Sequence, residues 1–446
     1  MKKTSPKQLS AKIFALLFAM AITFGIFAGC NNGQLDPAPV PEEDLPVKNE
    51  AGWHTISVGG KHSMAIYSDG TLWTWGRNMS GQLGNGTSGG DDFNVTKPEQ
   101  LGSEKNWVYI TAGQEHSMAL KNNGELWAWG NQEHGRLGNG ETSGNQTSPV
   151  RIGETDLWKT SPCSISAGHS HSLGIKSDGT LWAWGYGSKG SLGLGNDNNQ
   201  PTPQQVLIQG KSPEEQPTWR YVSAGGGEYG SHSAAITTNG ELYVWGKNHI
   251  GQVGNSTQTD QYYPVQIMPD TTLKGVVAAW DFTIAMSTDG EIFSWGSNQY
   301  GQFGQQLSPG SIGSKSPGQM MKDSGLVWHS VSMASGSDHV AAITEDGHLY
   351  LFGRNHSGQL GNPENTDAST HTPYRLNVPA AGNRSGSTWS SVQAGSTFTL
   401  AINKADKTLW AWGDNSHGQL GNGKGGGGDA NPSSERTPVQ IFKPQP

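Results

Sequence analysis

One stretch of text recurs seven times between Trp53 and the C-terminus, and a repeat of that length leaves few folds open. Aligning the glycine that closes each Trp-Gly or Phe-Gly element gives Gly76, Gly130, Gly185, Gly246, Gly296, Gly353 and Gly413, spaced 54, 55, 61, 50, 57 and 60 residues apart. Periods of this size mark solenoids and propellers, whose units cannot bury their apolar faces alone and must stack on neighbours. Glycine at 64 of 446 residues is about twice the usual share. No three-residue period accompanies it, which excludes a collagen-like chain.

Each copy reads as four short strands. The first is an alternating segment headed by Trp (WHTISVGG, WVYITAG, WRYVSAGG, WSSVQAG), and the second is apolar, as in HSMAIYS. Asp69-Gly70, Asn123-Gly124, Asp178-Gly179, Asn239-Gly240, Asp289-Gly290 and Asp346-Gly347 follow, dipeptides that accept the positive φ of a tight hairpin; repeat seven has Lys404-Ala405-Asp406-Lys407 instead. The third strand (TLWTWG, ELWAWG, HLYLFG) places its aromatics on one sheet face against the next blade. A loop of the form N-x-x-G-Q-L-G and a polar stretch lead to a fourth strand that opens with Pro (SPVRI, YPVQI, TPVQI), suited to a sheet edge. Four antiparallel strands repeated seven times predict an all-β, seven-bladed β-propeller of four-stranded antiparallel blades over 53–446, with repeats starting near 53, 107, 158, 219, 273, 328 and 389. Leu45-Pro46-Val47 mimics Thr437-Pro438-Val439, so either end can supply the strand that closes the ring, with the other left loose.

The succession W-x-x-V-x-A-G-x-x-H-S, D-G-x-L-W-x-W-G, N-x-x-G-Q-L-G-x-G and P-V resembles the regulator of chromosome condensation repeat family, over about Trp53 to Ile441. The resemblance implies a seven-bladed propeller. It does not imply one function, because the family includes a nuclear guanine-nucleotide exchange factor, photoreceptors and ligase-associated interaction modules.

The N-terminus separates this chain from those settings. Lys2, Lys3, Lys7 and Lys12 precede an apolar run from Ile13 to Phe27, of signal-peptide length and too short to span a membrane comfortably. Ala28, Gly29 and Cys30 then resemble a bacterial lipobox, which implies cleavage of residues 1–29 and acylation of Cys30. Residues 30–52, rich in Pro and acids, read as a tether that cannot bury enough surface to fold alone. Cleavage removes four lysines and no acid, moving the net charge from -8 to -12, which argues against nucleic acid as a partner. Cys163 is the other cysteine, so no intramolecular disulfide is expected.

Hairpin connections alternate between the faces of a propeller, so the G-x-x-H turns and the N-x-x-G-Q-L-G loops share one face and the D-G turns take the other. The first face collects the longer, variable loops. On it, His62, His116, His171, His232 and His339 occupy one equivalent position, replaced by Phe282 and Phe398 in repeats five and seven. A histidine ring suggests a metal or ligand. The tolerance of Phe and the separation of about 55 residues favour a structural imidazole bonded to backbone near the turn. Trp280 and Asp281 replace the usual small turn residues in repeat five, and Glu228-Tyr229-Gly230 is inserted in repeat four, giving a candidate binding face for protein or glycan. The Asn/Asp/Gly loops (Gly89 to Phe93, Asn196 to Asn199, Gly423 to Asp429) carry oxygen ligands suited to Ca²⁺, but none matches an EF-hand loop and turn chemistry explains them equally.

No H-E-x-x-H, G-x-S-x-G or complete phosphate-binding loop occurs, and Cys163, at the start of repeat three's first strand, has no basic cluster near it in sequence. No catalytic residue, cofactor or metal is therefore expected. The expectation is a monomeric, non-catalytic lipoprotein of the cell envelope, facing periplasm or exterior, whose propeller is a protein- or glycan-binding scaffold. The alternatives are a nucleotide-exchange regulator of a GTPase, by resemblance, and an envelope hydrolase or lyase with acids or histidines at the central channel.

Overall fold

In the computed structural model the described residues are 51–227, 230–305, 312–322, 324–365, 368–378, 387–427 and 433–444. Seven four-stranded antiparallel sheets stand around one axis. In blade 1 the strands are Trp53–Val58, His62–Tyr67, Leu72–Gly76 and Val95–Gln100, paired in chain order from the axis outward. The other six blades repeat this order. Expected and observed starts agree except in blade 3. There Trp158 makes only an isolated bridge to Lys176, and the first strand is the short Ile165–Ala167. The intervening residues form a turn, and Cys163 sits in it at φ 66°, buried in the apolar core, just before the strand.

Each fourth strand carries a proline, but in its middle rather than at its start. In blade 1, Gly76 pairs with Val95 and Thr74 with Glu99, so the register shifts across the segment that holds Pro98. A bulge leaves that residue unpaired, and the missing N–H costs no ladder bond. The third-strand indoles also turn the other way from expectation. Trp129 of blade 2 donates its Nε1–H to the carbonyl of Gln82 in blade 1, at 2.9 Å, so these rings pack against the preceding blade.

Ring closure uses the C-terminal segment. Ser434–Ile441 pairs with the third strand of blade 7, while Leu45-Pro46-Val47 lies outside the described residues. Blade 7 then meets blade 1 through bonds that recur at other junctions: Trp53 N donates to Lys407 O (3.1 Å), and Ser63 Oγ and Trp75 Nε1 both donate to Gln419 O (2.7 and 2.9 Å). Just past the last strand, Lys443 places its ammonium 3.7 Å from the Tyr67 ring centroid and 3.5 Å from Asp69. Blades 2 and 3 use their own Lys121 and Lys176 in the same way, over Trp127 and Trp182. Blade 1 has Tyr67 at that position and takes its cation from the chain's other end.

Truncation after Gly427 removes the closing strand together with its buried Ile441 and exposes the edge of blade 7. The truncated chain should lose its cooperative thermal transition, whereas Lys443→Ala should cost only about 0.5–1 kcal/mol. Circular-dichroism melts read both, and full-length stability in the truncated chain would contradict closure by this strand.

Candidate binding face

Sheets packed face to face in a ring must bury the polar ends of their strands along with the apolar middles, and the five aligned histidines serve that need. All five are fully buried, so they are not part of a solvent-facing site as the sequence suggested. His62 Nε2 lies 2.9 Å from Ser117 Oγ of the next blade, and that hydroxyl donates to Gln82 O at 2.8 Å. The hydroxyl's one proton is used on the carbonyl, so the imidazole donates from Nε2 and keeps Nδ1 bare. The same relay joins His116 to Ser172 and Arg136 O, His171 to Ser233 and Ser191 O, His232 to Thr283 and Gln252 O, and His339 to Thr399 and Gln359 O. The partner is thus a hydroxyl one blade away rather than backbone near the turn. Gly59 makes room for the ring, because a Cβ there would sit 2.4 Å from His62 Cε1.

The loop composition has an equally local cause. Asn78 accepts from Leu83 N through Oδ1 (3.1 Å) and donates through Nδ2 to Asn85 Oδ1 (3.1 Å) and Thr87 O (3.0 Å). Asn248 and Asn415 repeat the pattern. In the second candidate loop Asn196, Asp197 and Asn199 likewise accept from the backbone amides of Asn198, Gly190 and Gly187. Among the described residues no cluster of three or more His, Cys, Asp or Glu is placed to hold a metal.

The axis offers little room. The cavity between the first strands is about 40 Å³, enough for a water or two, and its walls include Ser57, Thr111, Ser166, Ser223 and Gln393. Four of those groups are engaged: Ser57 Oγ, Thr111 Oγ1, Ser166 Oγ and Ser223 Oγ accept from Ala112, Ala167, Ala224 and Ala278 N of the next blade at 2.9–3.0 Å. Neither an acid nor a histidine lines the cavity, so the chemistry of a channel hydrolase is not assembled there.

What remains is the mouth on the loop-rich face, where blades 4 to 6 depart from the repeat. Trp280 is half-buried with its indole over the backbone of Gly227, where a Cβ would fall 2.5 Å from Nε1. Asp281 accepts from Lys247 Nζ (3.1 Å) and Gln252 Nε2 (3.0 Å), both on blade 4. Glu228 and Tyr229 lie outside the described residues.

Sequence reasoning missed Asp338 of blade 6, which pairs with Arg354 at 3.3 Å. Burial pushes its carboxyl up to about 6; Asp281 adds to the rise and Arg354 opposes it. The Arg354 guanidinium also lies 5.0 Å from the Tyr300 ring centroid. Ser335 Oγ reaches across the mouth to Gly226 O of blade 4, at 3.3 Å. On the far side Arg77 pairs with Glu115 at 3.0 Å, and Asn131 Nδ2 donates to the same carboxylate. The signal for Asp338 was available: it stands directly before the aligned His339, as Glu115 does before His116.

Burial pushes His62, His171, His232 and His339 down to about 3, and His116 well below its ordinary value. An unfolded histidine titrates near 6.5. The five groups therefore contribute stability that is complete above pH about 6.5 and is lost as pH falls toward 3, because only the unfolded chain takes up their protons. Asp338 acts oppositely but is one group. Five protons correspond to a slope approaching about 7 kcal/mol per pH unit, so unfolding should set in about one to two units below 6.5. Urea midpoints between pH 7 and 4 test this, and a flat profile to pH 5 would show that the imidazoles are not held neutral.

The regulator of chromosome condensation (RCC1) repeat pattern matches residues 69–120, 123–175, 178–236, 239–286, 289–343, 346–402 and 406–445. The chain is 30% identical over 376 residues to the Ultraviolet-B receptor UVR8 of Arabidopsis thaliana, covering 83% of this chain and 78% of that protein. It is 29% identical over 371 residues to the human E3 ubiquitin-protein ligase HERC2, covering 83% of this chain but 7% of the ligase. Among solved structures, human WBSCR16 superposes with a TM-score of 0.68 at 19% identity, over 84% of this chain and 94% of that one. Yeast RCC1 (Prp20), bound to Kap60, superposes at 0.67 and 18%, over 88% and 84%. At such identities the two superpositions establish the fold alone. With seven matched repeats spanning most of its length, the chain belongs to the RCC1 repeat family.

Proposed function

We propose that this chain is a non-catalytic binding scaffold of the cell envelope, anchored by a lipid on Cys30, whose loop-rich face engages a protein or glycan around Trp280 and Asp281. One observation carries the site: the repeated histidines, asparagines and serines are consumed in holding blades and loops together, whereas the irregular turns at the mouth bring the half-buried Trp280 together with the charged Asp281, Asp338 and Arg354. The relatives agree in kind, since one is a receptor and another was crystallised with a protein partner.

The placement of the chain ends supports the anchor. Each first strand starts at the D-G face, so Gly52 lies beside Lys407 in the turn of blade 7, and Lys443 beside Asp69 in the turn of blade 1. A tether running from Cys30 to Gly52 would reach the ring on that side and leave the loop-rich face pointing away from the bilayer.

Labelled palmitate should enter the full-length chain and be lost on Cys30→Ala. A cytosolic, unlipidated protein would overturn the anchor and favour a GTPase exchange regulator instead. Pull-down and glycan-array screens with residues 53–446 should yield a ligand whose binding falls at least tenfold on Trp280→Ala. A ligand indifferent to that change and to Asp281→Ala would place the site elsewhere.

A further inference from the structure

We propose that the ring is built to part at the junction of blades 5 and 6, directly beneath the face that carries Trp280, Asp281 and Asp338. This inference rests on the packing of the ring and stands whether or not the proposed function does.

Neighbouring blades are tied by five rows of hydrogen bonds. In the outer one Gly86, Gly140, Gly195, Ser256 and Gly423 donate their amides to Thr147, Pro201, Tyr262, Lys315 and Thr96 O, and its blade 5 position, residue 306, lies outside the described residues. The buried row is the histidine relay, with indoles adding to it at the carbonyls of Gln82, Ser191, Gln252 and Gln359. The axial row is the hydroxyl-to-amide series from Ser57 to Ala278, with Ser332 Oγ and Gln393 Oε1 at 3.4 Å between blades 6 and 7. Around the mouth, Gly60 N donates to Gly113 O, Gln114 N to Gly168 O, His169 N to Gly225 O, Gly226 N to Ala279 O and Ala334 N to Ala394 O. On the D-G face, Trp158, Trp219, Leu273 and Trp389 donate their amides to Gly124, Gly179, Gly240 and Gly347 O, and Trp53 donates to Lys407 O.

Among the described residues, none of the buried, axial, mouth and D-G rows crosses from blade 5 to blade 6. Where the relay would run stand Phe282, Val340 and Phe352, with Phe303 in place of the loop leucine, all buried. Val277 replaces the axial serine. Trading both partners of a buried bond for apolar groups of similar shape is close to neutral, so the relay's loss is largely compensated. The axial, mouth and D-G bonds have no such replacement. The polar contacts that do cross, among the described residues, include the Arg354 guanidinium over the Tyr300 ring and the attraction between Lys274 and Glu345.

Blade 6 is instead strapped over the top of the ring. Its longer turn sends Ser335 to Gly226 O of blade 4, and Gly336 passes so close to blades 2 and 7 that a Cβ would meet Gln114 Oε1 at 3.3 Å and Ser396 Oγ at 3.1 Å. The compliant joint and the strap both lie at the candidate face. A partner that bridges Trp280 of blade 5 and Asp338 of blade 6 would therefore act on the seam these rows tie least.

Thiol labelling of the folded chain tests this. In a Cys30→Ala, Cys163→Ala background, one cysteine is placed at the equivalent second-strand position of different blades: Val340→Cys at the apolar seam, and Ser117→Cys or Ser233→Cys at bonded seams. A small thiol reagent should modify Val340→Cys roughly tenfold faster or more, the loss expected for one or two uncompensated hydrogen bonds. Moving the apolar set to the junction of blades 4 and 5, by His232→Phe and Trp295→Phe with Thr283→Cys, should raise labelling there and leave Ser117→Cys slow. Equal rates at all seams overturn the proposal, as does a transfer that accelerates every seam together. Should the triple variant fail to fold, the comparison of single-cysteine chains decides alone.

Discussion

Every blade leaves both of its sheet faces uncovered, and the ring exists because each face is closed by the next blade. That contact is apolar in bulk, but the inward ends of its strands carry carbonyls and amides that no neighbour within the blade can satisfy. The buried imidazole, the hydroxyl it meets and the carbonyl beyond convert this liability into a bond that repeats around the ring. An unpaired buried group costs about 1–3 kcal/mol, so five junctions carry the relay and the junction of blades 5 and 6 replaces its imidazole and hydroxyl with apolar groups.

Glycine makes the same contact possible from the other side. Gly84, the last residue of the first G-Q-L-G loop, has φ +73° and sits where a Cβ would be 2.9 Å from Trp129 Nε1 of the next blade. The left-handed turn brings the Gln82 carbonyl under the indole, and the missing side chain lets the ring approach it. The high glycine content is thus a packing requirement of large aromatic rings brought against backbone.

The departures from this pattern cluster. Blade 5 loses the histidine and gains Trp280 and Asp281; blade 6 loses the paired hydroxyl and indole and gains an extended turn with Asp338. These changes fall on adjacent blades, in the interior and on one face together. The candidate binding surface and the unusual seam are therefore one feature of the structure, seen from solvent and from the core.

Strand number, blade count and the order of elements were legible in the sequence, because alternation, D-G turns and the Trp-Gly elements repeat with a fixed local meaning. The sorting of loops onto two faces followed from hairpin alternation alone, and it placed Trp280 and Asp281 on a common face. Other features could not be read that way. The partner of each histidine is a hydroxyl about 55 residues distant, and an alignment of repeats shows that a position is constant without showing what it touches. Asp338 gains its role only because the ring brings blade 6 beside blade 5, and the third-strand indoles turn to the preceding blade because that is where the G-Q-L-G carbonyl lies. Local chemistry determined the pieces of this protein. Which groups are spent inside the ring, and which are left for a partner, was decided by long-range packing.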